Sequence, residues 1–375
     1  MTLTLLFAFI LVALTFEFIN GFHDTANSIA TVVATKVLTP TQAIMMAASM
    51  ELVGALSGTA VAKTISTGIV DTSLVHMGPE VLICALIGGI AWNLLTWWLG
   101  LPSSSSHALI GGLCGAALAR AFGNWHVLIW SQPANPWWQG KGLLWKIVIP
   151  MVSSPIIGFT LGFALMGTLL AVISTLNAQG GMLQRITRPR WINAVFGKLQ
   201  LLSSAYMGFA HGLNDAQKTM GLITLGLVSA ASTGALDQLP DILAFMRPTP
   251  GSEGEIATWT KITCAVVMAL GTSTGGWRII KTLGHKLVKL HPIHGFAAET
   301  SSATVLSLAA HFGMPVSTTH SISTAIMGVG TAKSSKALRW TVVERIVWAW
   351  LLTLPATALM GFAIVELAMG MGWIG

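Results

Sequence analysis

Charge is what this sequence has least of. Only 9% of its 375 residues are Asp, Glu, Lys or Arg, against about 25% in a soluble domain, while 53% are hydrophobic. Many segments of about 18 or more residues carry no charge or nearly none, so the chain reads as an all-α polytopic membrane protein rather than a soluble enzyme. Also missing is any stretch between the apolar runs long enough to fold as a soluble domain. Cysteine is scarce. Cys84, Cys114 and Cys264 all lie in apolar runs without metal-ligand spacing, and they read as packing residues. No basic region precedes the first apolar run, so a cleaved signal peptide is not expected. What charge there is leans one way, with 20 Lys and Arg against 13 Asp and Glu, a net charge of +7. In so apolar a chain that excess reads as basic cytoplasmic loops that fix orientation, not as a nucleic-acid surface.

Against this background one stretch stands out: Gly21-Phe22-His23-Asp24-Thr25-Ala26-Asn27-Ser28. It interrupts an apolar run, and a charged side chain at membrane depth costs about 2.5–3.5 kcal/mol on insertion scales, which marks a pathway or a binding site. The pattern returns as Gly212-Leu213-Asn214-Asp215-Ala216-Gln217-Lys218-Thr219. A second pair follows in the same order: Pro102-Ser103-Ser104-Ser105-Ser106-His107 and Pro315-Val316-Ser317-Thr318-Thr319-His320. The chain is therefore divided into a first repeat, 1–175, a basic cytoplasmic linker, 176–200, and a second repeat, 201–375.

About five membrane elements are expected in each repeat. They cover 3–36, 41–62, 81–99, 103–119 and 143–174 in the first, and 201–228, 261–276, 295–312, 316–332 and 340–369 in the second. Breaks are expected at Asn20-Gly21 and between Ala210 and Asn214, and the short fourth elements suggest re-entrant helical hairpins. Five crossings are an odd number, so the second repeat must enter from the opposite side: the repeats are inverted and both termini external. The acidic loop with Asp237, Asp241, Glu253 and Glu255 against Arg247 then lies outside, and the basic stretch 277–294 inside. Trp125, Trp130, Trp137, Trp138 and Trp145 read as an interfacial belt.

The serine motifs each follow a proline and open an apolar helical run. A helix N-terminus offers unpaired N–H groups and a partial positive charge, a ready anion site. The hydroxyls of Ser104, Ser105, Ser106, Ser317, Thr318 and Thr319 can cap the helix, donate to an oxyanion, or both. Asp24 and Asp215 would repel an anion unless they hold a coupling cation or accept the O–H of a protonated substrate. Phosphate has such an O–H at neutral pH and sulfate does not. Glu51 and Glu299 are candidate cation ligands or proton carriers, and they are not register equivalents. Glu17, two turns before Asp24, is placed for either role. Lys218 aligns with Asn27 and could neutralise Asp215 or contact the anion. His23 is placed for proton coupling. His107 and His320 either donate to substrate or lock the hairpins in position. A serine hydrolase is disfavoured, because Ser106 and His107 point about 100° apart on one helix and no glycine-flanked nucleophile elbow is present.

Together, the four motifs resemble the signature repeats of the inorganic phosphate transporter family, in its low-affinity bacterial permease form, over nearly the whole chain. The resemblance implies no enzymatic activity and no cofactor. It implies secondary transport of inorganic phosphate across the cytoplasmic membrane by symport, with H+ or Na+ as coupling ion, and commonly a homodimer. It carries a ligand role onto Asp24, Asn27, Ser104, Ser105, Ser106, Asp215, Ser317, Thr318 and Thr319, with Glu51 and Glu299 as acidic partners. His23 and Lys218 depart from the sodium-coupled pattern and are similar to proton-coupled members, which are thought to take phosphate with a divalent metal as a neutral complex. Sodium coupling, or a sulfate permease on the same scaffold, remains the alternative.

Overall fold

The computed structural model describes residues 3–136, 140–248 and 254–374. Trp137, Trp138 and Glu253 of the expected loops lie outside the described residues. The first repeat supplies α1 (Leu3–Ala34), α2 (Pro40–Leu56), α3 (Ala60–Thr67), α4 (Pro79–Leu99), α5 (Ser105–Arg120) and α6 (Ile149–Ala178). A short α7 (Gly181–Ile186) follows. The second repeat supplies α8 (Pro189–Ser232), α9 (Thr258–Thr274), α10 (Trp277–Lys281), α11 (Pro292–His311), α12 (Thr318–Lys333) and α13 (Trp340–Gly370). No β-strand occurs among the described residues, only isolated bridges such as Val70 with Leu128.

Among the described residues, four helical segments are long and apolar enough to cross a bilayer alone: α1, α4, the α6 segment Leu144–Ala178, and α13. A fifth is the pair α2 and α3, bent by 66° at their junction. This is a multi-pass membrane protein. Helices α8 and α11 fall short on composition because they bury polar side chains inside the protein, Asp215 and Lys218 on one and Glu299 on the other. Helices α5 and α12, 16 residues each, measure about 24 Å and are shorter than a bilayer core of about 30 Å.

The breaks fall elsewhere than expected. Both α1 and α8 run unbroken through their Gly-x-x-Asp motifs. Gly21 and Gly212 do not end a helix; they let another helix in. A Cβ on Gly21 would stand 2.3 Å from Met268 O on α9, and one on Gly212 would stand 2.1 Å from Glu51 O on α2. The interruption lies in the second element of each repeat, between α2 and α3 and between α9 and α10, at Gly58 and at Gly275-Gly276. The basic linker is also partly helical, since α8 already begins at Pro189.

The glycine contacts reveal how the halves are related. The register that pairs Gly21 with Gly212 also pairs Phe18 with Phe209. Correspondingly, Gly54 of α2 sits against Phe209 O and Gly271 of α9 against Phe18 O. Helix α1 packs on α9 as α8 packs on α2, and α5 packs on α13 as α12 packs on α6. Each hairpin helix therefore rests on the last helix of the other repeat. Side by side, α1 and α8 run antiparallel: Glu17 meets Thr219, Ser28 meets His211, and Thr35 meets Gln200. Since these are the equivalent first helices of the two repeats, the repeats are inverted.

Candidate functional site

Two helix N-termini meet at the centre of the molecule. After Pro102 and Pro315 the chain makes the same turn twice. Ser103 N–H donates to Leu101 O, and Val316 N–H donates to Met314 O, both at 2.9 Å. Ser104 and Ser317 then cap α5 and α12, accepting from the N–H groups of His107 and His320 at 3.2 Å in both copies. These two hydroxyls do capping work. The N–H groups of Ser105, Ser106, Thr318 and Thr319 lie in the first helical turns, outside the intrahelical ladder. The tips touch: Ser106 Oγ donates to Val316 O at 3.4 Å, and the rings of His107 and His320 pack edge to face at 4.8 Å. His320 also lies 4.1 Å from the Trp350 ring. Neither of the two ring nitrogens of His320 has a hydrogen-bond partner.

The α1 and α8 motifs clasp these tips crosswise. Asn27 Nδ2 donates to Thr318 Oγ1 at 3.1 Å and to Thr319 Oγ1 at 2.9 Å. Its register mate Lys218 reaches the opposite tip, donating to Ser106 Oγ and, at 3.3 Å, to Val316 O. Lys218 also pairs with Asp215 Oδ1 at 2.5 Å, the ion pair that helical i,i+3 spacing permits. Thr318 Oγ1 donates to Asp215 Oδ2 at 3.1 Å. The helical spacing of Asp215 and Lys218 thus places one carboxylate and one ammonium directly over the paired N-termini.

Around this centre lies a set of buried acids. His23 Nδ1 is 2.6 Å from Asp24 Oδ1, and its Nε2 is 3.1 Å from Thr96 Oγ1. His211 bridges two carboxylates. Its Nδ1 is 2.7 Å from Glu51 Oε1, and its Nε2 is 3.2 Å from Asp215 Oδ2, within ion-pair range though not aligned as a hydrogen bond. Glu51 also accepts from Ser28 at 2.9 Å and from Thr272 at 2.5 Å. Glu299 accepts from Thr31 and Ser203, both at 2.5 Å, from Gln200 at 3.1 Å and from Ser204 at 3.2 Å. Ligand atoms of Asp24, His211 and Asp215 lie within 4.8 Å of one another, a spacing that could hold a cation. No residue of this cluster is more than 3% exposed, so it is sealed from both faces.

The family model for the phosphate transporter family matches residues 20–361, which spans both motif pairs. The chain belongs to the phosphate transporter family. Among its relatives in this family, a Bacillus subtilis (strain 168) protein named "Probable low-affinity inorganic phosphate transporter" is 40% identical over 352 residues, 94% of this chain and 93% of that one. A Rhizobium meliloti (strain 1021) protein of the same name is 43% identical over 357 residues, 95% and 94% of the two chains. A solved structure, "The sodium-dependent phosphate transporter", superposes with a TM-score of 0.78 over 98% of this chain and 99% of its own. At 24% identity it speaks to the fold alone.

In this phosphate transporter family chain every candidate site residue named from the sequence is buried, and most of them converge. Asp24, Asn27, Asp215, Lys218 and the two serine–threonine tips form one cluster. Glu51 joins it through His211. Glu299 stands apart, further along α1 beside Thr31. His211 is a member of the site that the repeated motifs do not mark. It precedes the motif, and its register mate on α1 is Asn20, so the repeat comparison draws no attention to it. Asn93 of α4 is buried with neither amide atom partnered.

Proposed function

We propose that the protein is a proton-coupled symporter of inorganic phosphate in the cytoplasmic membrane, with both termini outside, and that phosphate binds between the N-termini of α5 and α12. The observation that carries this reading is a charge imbalance. Glu17, Asp24, Glu51, Asp215 and Glu299 are all buried, and the bases among them are Lys218, His23 and His211. Bringing an anion into such a site makes sense only if protons or cations come with it, because unpaired buried charge is costly.

Each part then has a task. N–H groups of Ser105, Ser106, Thr318 and Thr319 bind phosphate oxygens, helped by their hydroxyls and by the two helix dipoles. Ser104 and Ser317 fix the turns, and His107 and His320 fix the hairpins. Lys218 supplies positive charge and Asn27 a neutral donor. Asp24 and Asp215 accept the phosphate O–H or the coupling proton, with His23 and the Glu51–His211 pair as proton partners. Glu299 is a further proton carrier. A divalent metal travelling with phosphate would find oxygen and nitrogen ligands in Asp24, His211 and Asp215. Since the cluster is sealed, transport requires the paired hairpins to rock against α1 and α8 so that each face opens in turn.

Sodium coupling is the second reading, favoured by the same surplus of carboxylates. Radiolabelled phosphate uptake into proteoliposomes separates the two. The expected result is accumulation driven by an inward pH gradient without sodium, and undiminished by excess sulfate. Accumulation only under a sodium gradient would overturn the proton assignment, and competition by sulfate would overturn the substrate.

A further inference from the structure

The mechanism above leaves one acid unused. Glu17 sits on α1 two turns before Asp24 and is fully buried. Thr219 Oγ1 donates to its Oε2, while its Oε1 has no hydrogen-bond partner. No Lys, Arg or His among the described residues stands within ion-pair distance of it. The titratable groups that face it are Asp215 and Lys218 of α8 and Cys264 of α9. Helix α4, also packed on α1, carries no charged side chain beyond Glu80 in its first turn. Lys218 cannot serve as its partner, because its three N–H groups are directed to Asp215, Ser106 and Val316 O. A carboxylate buried so deeply without a counter-charge is costly, and its unpartnered Oε1 leaves room for a proton.

A polar cavity lies on the same side of the centre as this acid. Thr219 follows Asp215 by one helical turn on α8. Six residues further along α8, about 9 Å by helical rise, Leu225 lines an open cavity of about 340 Å³ whose wall includes Ser66, Thr67, Thr72, His76 and Ser229. Along the antiparallel seam of α1 and α8 the acids then stand in series: Glu17 beside Thr219, Asp24 and Asp215 at the centre, Glu51 through His211, and Glu299 beside Ser203. The series is not imposed by the repeat. The register mate of Glu17 is Gly208, so a protein with only the paired motifs would have no acid here.

We propose that Glu17 is a proton-binding site on the outer side of the phosphate centre. It takes a proton from the polar cavity and passes it towards Asp215 as phosphate loads. The inference rests on the proton-coupled reading above. Glu17 touches no part of the phosphate site, so it acts on coupling and not on substrate binding.

The test is Glu17→Gln, which keeps the shape and the acceptor for Thr219 but cannot release a proton, with Glu17→Asp beside it. Both go into proteoliposomes alongside wild type. Three quantities are read: accumulation driven by a pH gradient, phosphate-triggered proton uptake reported by an internal pH dye, and exchange of internal for external phosphate at equal pH. The expected result is loss of accumulation and of the dye signal in Glu17→Gln, with exchange retained, and partial recovery of both in Glu17→Asp. Retained exchange also shows that the variant is folded. Unchanged accumulation in Glu17→Gln would overturn the proposal, and so would loss of exchange together with accumulation, which would make Glu17 a structural residue. Wild type that accumulates phosphate only with sodium would overturn the proton-coupled reading itself, and that outcome is visible before any variant is measured.

Discussion

Lys218→Met and Asp215→Asn are each expected to abolish phosphate uptake and to destabilise the folded protein, and the double variant is expected to recover stability but not transport. The pair is fully buried, at 2.5 Å. Its worth is not the attraction alone, because desolvation of both charges offsets most of that. Removing one partner leaves the other as an uncompensated buried charge, which costs about 3–5 kcal/mol. In Lys218→Met the orphan is Asp215, left with His211 and Thr318. In Asp215→Asn the orphan is the ammonium, left with Ser106 Oγ and a backbone carbonyl. Replacing both charges by similar volume removes the orphan, so the two single effects should not add. Thermal unfolding in detergent reads the stability side. Single variants as stable as wild type would mean that the pair does not exist as described.

Gly212→Val is expected to prevent stable folding, a larger effect than most losses of a single contact. A Cβ there would lie 2.1 Å from Glu51 O and 2.6 Å from Glu51 Cα. Both are backbone atoms of α2, so no rotamer change relieves the clash, and the helices would have to separate. Overpacking a core commonly costs about 1–3 kcal/mol when side chains can shift, and here they cannot. Separation would also pull Glu51 from His211 and break the 2.7 Å contact at the edge of the site. Expression followed by size-exclusion chromatography and an unfolding curve would check this. A monodisperse, normally stable Gly212→Val protein would contradict the close packing of α2 on α8.

These two sites also show where sequence reasoning reached and where it stopped. The duplication, the caps at Ser104 and Ser317 and the buried acids were legible, because each is a local pattern with a local cause: a proline, a hydroxyl three residues before an N–H, a charge in an apolar run. The sequence pattern predicts helix breaks at Asn20-Gly21 and between Ala210 and Asn214, and the structure has continuous helices at both places. A glycine in a helix can serve either a turn or a close neighbour, and only the position of α9 and α2 decides between them. The real breaks, at Gly58 and at Gly275-Gly276, have no acid beside them, and the charges that follow the second, Arg278 and Lys281, read as an ordinary basic loop. The exchange of hairpins between repeats was not legible at all. Helices buried on all sides lose the amphipathic stripe that would announce which face meets which partner. His211 is not legible in the sequence for a related reason: it stands between Glu51 and Asp215, acids on two different helices.

The central claim is that phosphate is held where the N-termini of α5 and α12 meet. Arsenate has the shape, charge and O–H of phosphate, and its arsenic scatters anomalously. Diffraction at the arsenic edge from crystals grown with arsenate therefore tests the claim directly. The account predicts one strong anomalous peak within hydrogen-bond reach of the Ser105, Ser106, Thr318 and Thr319 N–H groups, beside Lys218 and Asn27. A peak only elsewhere, for example in the small basic cavity between Lys289, His294 and Lys333, with none between the hairpin tips, would contradict it.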